Sequence, residues 1–192
     1  MRTATLTRKT RETDITLSLN LDGTGQADIS TGIGFFDHML TAFAVHSGFD
    51  LTVKALGDLE VDSHHTVEDV GIVLGQALAK AVDRSAIERY GTFSVPMDEA
   101  LCHCSLDISG RPYLVFLADF TYPKIGQYDT SMTEHFFQSF AVNAGITLHI
   151  QVPYGRDDHH KAEAIYKAVA HALKVAVRPN RGGQALSSKG VL

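Results

Sequence analysis

The stretch that decides the fold is Asp62-Ser63-His64-His65-Thr66-Val67-Glu68-Asp69, which positions 156–163 repeat as Arg-Asp-Asp-His-His-Lys-Ala-Glu. Each stretch contains two adjacent histidines and a glutamate, in the pattern His-His-x-x-Glu, and leads into an apolar-periodic run that is typical of a helix. On a helix, a histidine and the glutamate four residues later share one face, whereas adjacent histidines diverge by about 100°. The two histidines of one pair can therefore bind two different metals, or act in two different subunits, more readily than they can share a single metal.

The whole chain is an internal duplication, because the same order of elements is found in both halves. His38 and His135 lie 97 positions apart, and the two His-His-x-x-Glu patterns lie 95 positions apart. The order of elements predicts an α+β fold of two similar halves, with two sheets and helices packed between or against them. The predicted division is 1–90 for the first half, 91–178 for the second and 179–192 for a basic tail, all within one compact unit.

Hydrophobic periodicity predicts the individual elements. Alternating or continuous apolar residues predict strands at 3–7, 15–21, 49–55, 100–108, 113–120 and 146–152. Helical spacing predicts helices at 35–43, 64–84, 133–143 and 159–177.

Histidine is the unusual component of the composition, with ten residues. Neutral imidazoles and carboxylates form a ligand set that suits manganese, zinc and iron(II) alike. The residues that recur between the halves are the predicted metal ligands: His38, His64, His65, Glu68, His135, His159, His160 and Glu163. The histidines without a repeat partner, at 46, 103, 149 and 171, are predicted to be surface or core residues. Asp69 is equally compatible with a role behind a ligating imidazole and with a surface acid.

Composition limits the partners of the protein. A formal net charge of −5 argues against nucleic acid as a partner. No apolar run reaches membrane-spanning length. Cys102 and Cys104 lie two apart, a poor disulfide geometry, so we predict core thiols in a reduced, cytoplasmic protein. Residues 1–11 are Thr-rich and basic, and we favour an edge strand over a transit peptide.

A scattered basic set has the chemistry of an anion site. Ser187-Ser188-Lys189-Gly190 offers two hydroxyls, backbone N–H groups and an ammonium, although flexible tails often have this composition. Arg89, Arg111 and Lys167 add three further cations. The common phosphate-loop, dinucleotide and nucleophile-elbow motifs are not found in the sequence.

Taken together, these residues resemble the imidazoleglycerol-phosphate dehydratase family of histidine biosynthesis. The matching pieces cover nearly the whole chain in order: Arg11-Glu12-Thr13, 21–25, 36–40, 64–69, 107–113, 134–137, 159–163 and 187–190. One departure is Ala185-Leu186 before Ser187, where the family usually has a proline.

The resemblance implies a ribosomal protein S5 domain 2-like fold, with helices packed between two mostly antiparallel sheets. It also implies a 24-subunit shell, with active sites at subunit interfaces and two Mn(II) per site. It assigns the eight recurring residues as metal ligands and places Glu12 at the reacting carbon as general base. The phosphate contacts that it implies are Arg89, Arg111, Lys167, Ser187, Ser188 and Lys189.

The implied substrate is a small phosphorylated imidazole, D-erythro-imidazole glycerol phosphate, and the product is imidazole acetol phosphate. The expected path runs through a metal-bound imidazolate and a diazafulvene-like intermediate. Two alternatives remain at this stage: a two-metal hydrolase, and a non-catalytic assembly protein in which metals only staple subunits together.

Overall fold

The first half of the chain forms a four-stranded sheet and two helices. A computed structural model describes residues 2–180, 182, 186 and 187. The elements are β1 (Thr3–Lys9), β2 (Thr13–Asn20), β3 (Ala27–Ser30), α1 (Gly34–Ser47), β4 (Asp50–Gly57) and α2 (His64–Ala81). The strand order is β1-β2-β4-β3, and the only parallel pair in this sheet joins β3 to β4.

The second half repeats this arrangement. Its elements are β5 (Tyr90–Met97), β6 (Ala100–Asp107), β7 (Tyr113–Leu117), a small hairpin β8 (Lys124–Ile125) and β9 (Tyr128–Asp129), α3 (Met132–Ala144), β10 (Thr147–Tyr154) and α4 (Asp158–Ala176). The strand order is β5-β6-β10-β7, and β7 pairs with β10 in parallel. The predicted fold class, with two mostly antiparallel sheets and duplicated halves, is confirmed.

Three strand features were not predicted: β3, β5 and the β8–β9 hairpin. The strand β5 exposes most of its length and contains Pro96, so apolar alternation is almost absent from it. Helix α2 ends at Ala81 rather than near residue 84, because Val82 is extended and Asp83 caps a separate 3-10 turn. The strand predicted at 113–120 ends at Leu117.

The helices pack in two pairs, α1 with α4 and α2 with α3, and their apolar faces join those of the sheets in one core. Glycines permit the close approach of α2 and α3. A Cβ added at Gly75 would lie 2.6 Å from the carbonyl oxygen of Phe140, and one at Gly71 would lie 2.9 Å from that of Phe136. These contacts fix the distance between the two helices that carry one set of predicted metal ligands.

Buried polar residues anchor the helices to the sheets. Asp69 is buried and accepts hydrogen bonds from Arg8 Nε at 2.8 Å and Thr13 Oγ1 at 2.5 Å. It therefore ties α2 to β1 and β2, a role that neither sequence interpretation anticipated. Cys102 and Cys104 are buried free thiols, as predicted. Among the described helices, none is both long and apolar enough to cross a membrane.

Candidate metal centres

The two His-His-x-x-Glu patterns begin their helices in the same way. The carboxylate of Asp62 accepts a hydrogen bond from the backbone N–H of His64 at 2.7 Å, and that of Asp157 accepts one from His159 at 2.8 Å. The two aspartates are themselves 95 positions apart. These equivalent local contacts hold the backbone at the start of α2 and of α4, where the two histidine pairs lie.

The structure brings six of the eight predicted ligands together in two clusters. His64 and Glu68 on α2 meet His135 on α3, and the ligand atoms of each cluster lie within 4.8 Å of one another. The other cluster joins His38 on α1 to His159 and Glu163 on α4. Each half therefore gives its single histidine to the His-x-x-x-Glu pair of the other half, and neither half builds a cluster alone.

Donor atoms converge in both clusters, and in the cluster of His64, Glu68 and His135 one of them makes no direct hydrogen bond. His135 Nε2 is buried and lies 3.1 Å from Glu68 Oε1, yet it has no partner at hydrogen-bonding angles. In the other cluster, Glu163 Oε2 lies 3.1 Å from His159 Nε2 and 3.4 Å from His38 Nε2. Several donor atoms thus converge from different helices, which is the arrangement expected around a divalent ion.

His65 and His160 lie outside both clusters. His65 Nδ1 hydrogen-bonds to Asp58 at 2.9 Å, and His160 Nδ1 hydrogen-bonds to Glu99 at 2.8 Å. These hydrogen bonds are the largest cause of the raised pKa of each histidine. A carboxylate on Nδ1 fixes the ring and leaves Nε2 as the metal-facing atom in many metal sites. The Nε2 atom of His65 lies 3.9 Å from Glu12, and that of His160 lies 3.7 Å from Asp98. Among the described residues, neither histidine joins a three-ligand cluster.

Glu12 and Glu99 are equivalent residues of the duplication, since each directly precedes the second strand of its sheet. Glu99 accepts hydrogen bonds from the backbone of Asp157 and Arg156, at 2.7 and 2.9 Å, besides the bond from His160. With the Asp157 contact as the largest cause, these bonds lower the pKa of Glu99 to about 2. Glu12 has an exposed side chain, and its carboxylate lies 3.9 Å from His65 Nε2. Glu99 is therefore held in place by hydrogen bonds, whereas Glu12 is accessible to solvent.

The predicted phosphate contacts fall in two places. Lys167 lies beside the second cluster, with Nζ 2.6 Å from Glu163 Oε1. Arg89 is buried and binds Asp107 through two hydrogen bonds, and it also donates to the carbonyl of Leu186 at 2.5 Å.

Arg111 is mostly exposed, with Nη2 3.6 Å from Asp107. Ser187 is half-buried, whereas Ser188 and Lys189 lie outside the described residues.

Helix α4 separates the cluster of His38, His159 and Glu163 from Arg89. The backbone N–H of Arg89 donates to the carbonyl of Ala176 at the C-terminal end of this helix, whereas His159 and His160 stand at its N-terminal end. Sixteen residues of helix span about 24 Å. The cluster end and the arginine end of one chain are therefore too far apart for one small substrate to reach both.

Sequence reasoning missed three carboxylates of this region: Asp58, Glu99 and Asp107. Asp58 lies in a loop seven residues before His65, and nothing in the local sequence indicates that it holds this histidine. Glu99 could have been found by aligning the two hairpin turns, which makes it the counterpart of Glu12. Nothing in the local sequence indicates that Asp107 would meet Arg89, because that contact depends on the pairing of β5 with β6.

The fold and the site together define a duplicated α+β protein with two candidate divalent-metal centres. A family model described as imidazoleglycerol-phosphate dehydratase matches residues 31–173. Proteins of that name from Rhodopseudomonas palustris (strain TIE-1) and Methanosarcina barkeri are 56% and 57% identical over 100% of this chain, covering 99% and 100% of their own lengths.

Two solved structures of such enzymes are also similar to this chain. The Staphylococcus aureus structure has a TM-score of 0.84 at 41% identity and covers 93% of this chain and 99% of its own. The Pyrococcus furiosus structure, in complex with (S)-C348, has a TM-score of 0.85 at 35% identity, with 97% and 100% covered. The chain belongs to the imidazoleglycerol-phosphate dehydratase family, a family of hydro-lyases of histidine biosynthesis. The family and the enzyme class predicted from the sequence are confirmed.

Proposed function

We propose that this chain dehydrates D-erythro-imidazole glycerol phosphate to imidazole acetol phosphate, using two Mn(II) ions per active site. The observation that carries the proposal is the pair of three-ligand clusters, which have the same composition and are each built from both halves. Family membership supports the substrate. Manganese in preference to zinc or iron(II), and the number of ions, rest on the family resemblance, because this donor set tolerates all three metals.

The proposed ligands are the six residues of the clusters together with His65 and His160 of other copies of the chain. The environment of these two histidines supports this assignment, since a carboxylate fixes the Nδ1 atom of each ring and neither ring belongs to a cluster of the described residues. The length of α4 supports it independently, because one chain cannot bring the cluster on this helix and Arg89 to the same small molecule. We therefore propose active sites shared between subunits, in the 24-subunit shell that the resemblance implies.

The chemical difficulty is a C–H bond without an adjacent carbonyl group, so the imidazole ring must accept the electrons. A divalent ion, when bound, stabilises the deprotonated form of the ring. The proposed phosphate contacts are Lys167, Arg89, Arg111, Ser187, Ser188 and Lys189. By holding the phosphate they fix the distance between the reacting carbon and the base, and remote binding energy thereby contributes to the chemical step.

Glu12 is the proposed general base that takes the proton from this carbon. Its carboxylate is exposed and lies 3.9 Å from His65 Nε2, the atom that would ligate a metal ion. Its repeat counterpart Glu99 is held by two backbone N–H groups and by His160, so it cannot move toward a substrate. This difference between equivalent residues supports a catalytic role for Glu12 and a positioning role for Glu99.

A turnover assay on imidazole glycerol phosphate tests the proposal, with the ketone product followed before and after Mn(II) is added to chelator-stripped protein. We expect activity only with metal, and sedimentation of the same samples should show metal-dependent assembly. In Glu12→Gln, metal content and assembly should stay normal while turnover falls by a factor of about 10² to 10⁴, the usual contribution of a general base.

The outcomes separate the alternatives. Release of inorganic phosphate would favour the two-metal hydrolase, and metal-dependent assembly without any product would favour the stapling role. Near-normal turnover by Glu12→Gln would show that Glu12 is not the general base. The division at 1–90, 91–178 and 179–192, and the cytoplasmic location, stay predictions.

A further inference from the structure

The two clusters have the same ligands but differ in one neighbour. The two carboxylate oxygens of Glu163 have different partners. Oε2 faces His38 and His159, whereas Oε1 accepts a hydrogen bond from Lys167 Nζ at 2.6 Å. Glu68 faces the histidines of its own cluster with both oxygens, at 3.1 and 4.0 Å. Lys167 lies four residues after Glu163, and the residue four positions after Glu68 is Ile72. At this equivalent helix position, the cluster of Glu163 therefore has a cation, whereas the cluster of Glu68 has an apolar residue.

The charge of Lys167 is held in place. Its side chain is only 17% exposed, and Nζ also lies 3.7 Å from the sulfur of Met97. One helical turn further along, His46 and His171 hydrogen-bond to each other at 3.1 Å between α1 and α4. Burial is the main cause of the lowered pKa of both histidines, and the charge of Lys167 contributes to it. A cation so placed is less screened than a surface lysine.

We infer that the two metal centres are unequal, and that Lys167 makes the centre of His38, His159 and Glu163 the weaker one. This inference rests on the proposed metal-dependent function and goes beyond it. A lysine on the far oxygen of a ligating carboxylate stands on the order of 6 Å from the bound ion. Repulsion between a single and a double positive charge at that distance lowers the affinity about tenfold, even with the dielectric constant of water.

Lys167 also connects this centre to the substrate. It is one of the proposed phosphate contacts, so phosphate binding would draw the ammonium away from Glu163 Oε1. The carboxylate would then be more available to the ion, and the weaker centre should tighten when the phosphate arrives. The centre of His64, Glu68 and His135 has no cation in the equivalent position and should not respond in this way.

The test is a calorimetric titration of Mn(II) into the chelator-stripped, full-length protein. We expect two classes of sites, equal in number, whose dissociation constants differ about tenfold. Lys167→Met should bring the weaker class to the affinity of the tighter one, and Lys167→Arg should restore the difference because it keeps the charge. Ile72→Lys is the reciprocal variant and should weaken the tighter class. Lys80→Met, which removes an exposed lysine of α2, is the control for charge in general.

Each result decides between the possibilities. A single class of sites in the wild-type protein, or an unchanged ratio in Lys167→Met, would overturn the inference. If Ile72→Lys does not fold by circular dichroism, the Met and Arg variants at position 167 still decide it. A protein that turns over substrate with metal but shows equal centres would refute this inference alone, whereas a protein without turnover would refute the proposed function.

Discussion

Substitution of Gly75 by alanine tests how closely α2 and α3 must pack. The new Cβ would lie 2.6 Å from the carbonyl oxygen of Phe140, 2.8 Å from the Cβ of Asn143 and 2.9 Å from the backbone nitrogen of Ala144. Two of these atoms belong to the backbone of α3, so no side chain can rotate away to remove the clash. Ordinary contact begins near 3.4 Å, and the helices must therefore separate by about 0.8 Å.

Two opposing effects set the magnitude. Overpacking of a close contact costs about 1–3 kcal/mol. Alanine is favoured over glycine inside a helix by about 1 kcal/mol. Because the clash involves two backbone atoms at less than 3.0 Å, we place its cost in the upper part of that range, at about 2–3 kcal/mol. We therefore expect Gly75→Ala to lower the free energy of unfolding by about 1–2 kcal/mol. The cluster of His64, Glu68 and His135 should also bind metal more weakly, because its ligands come from both of these helices.

Urea unfolding of metal-free protein, followed by circular dichroism at one protein concentration, measures the change in stability. Gly34→Ala is the matched control, since a Cβ at Gly34 meets no heavy atom within 4 Å and its backbone does not have a positive φ. This control should stay within about 0.5 kcal/mol of the wild-type protein. If Gly75→Ala were as stable as Gly34→Ala, the close approach of α2 and α3 would not be the constraint that we describe.

Two further predictions concern the arginines and the buried thiols. In Asp107→Asn, Arg89 loses the carboxylate that orients it through two hydrogen bonds, so the KM for the phosphorylated substrate should rise about tenfold. A lower KM in steady-state kinetics would instead mean that the charge of Asp107 opposes phosphate binding. Burial raises the pKa of Cys102 to about 12, so the native protein should not react with a thiol reagent at pH 8. The urea-unfolded protein should react at once, and equal rates in the two states would contradict this explanation.

The sequence was sufficient for the parts of the fold that depend on local pattern. Strands with regular alternation, such as β2 and β6, and all four helices were predicted within a few residues. The edge strand β3 and the exposed strand β5 were missed, because neither buries one face regularly enough to show a period of two. Pairing with a neighbouring strand holds them in place, and pairing is not encoded locally.

The eight recurring metal-binding candidates were determined by the sequence alone, because duplication repeats chemistry at a constant spacing whatever the fold. Only the tertiary structure decided that His38 joins α4 and that His135 joins α2, so that each cluster draws on both halves. Only the tertiary structure separated Glu12 from Glu99 and put Lys167 against Glu163. The physical reason is that metal ligation and hydrogen bonding depend on distances of a few ångströms between groups far apart in the chain. Those distances are set by the packing of helices and the register of strands.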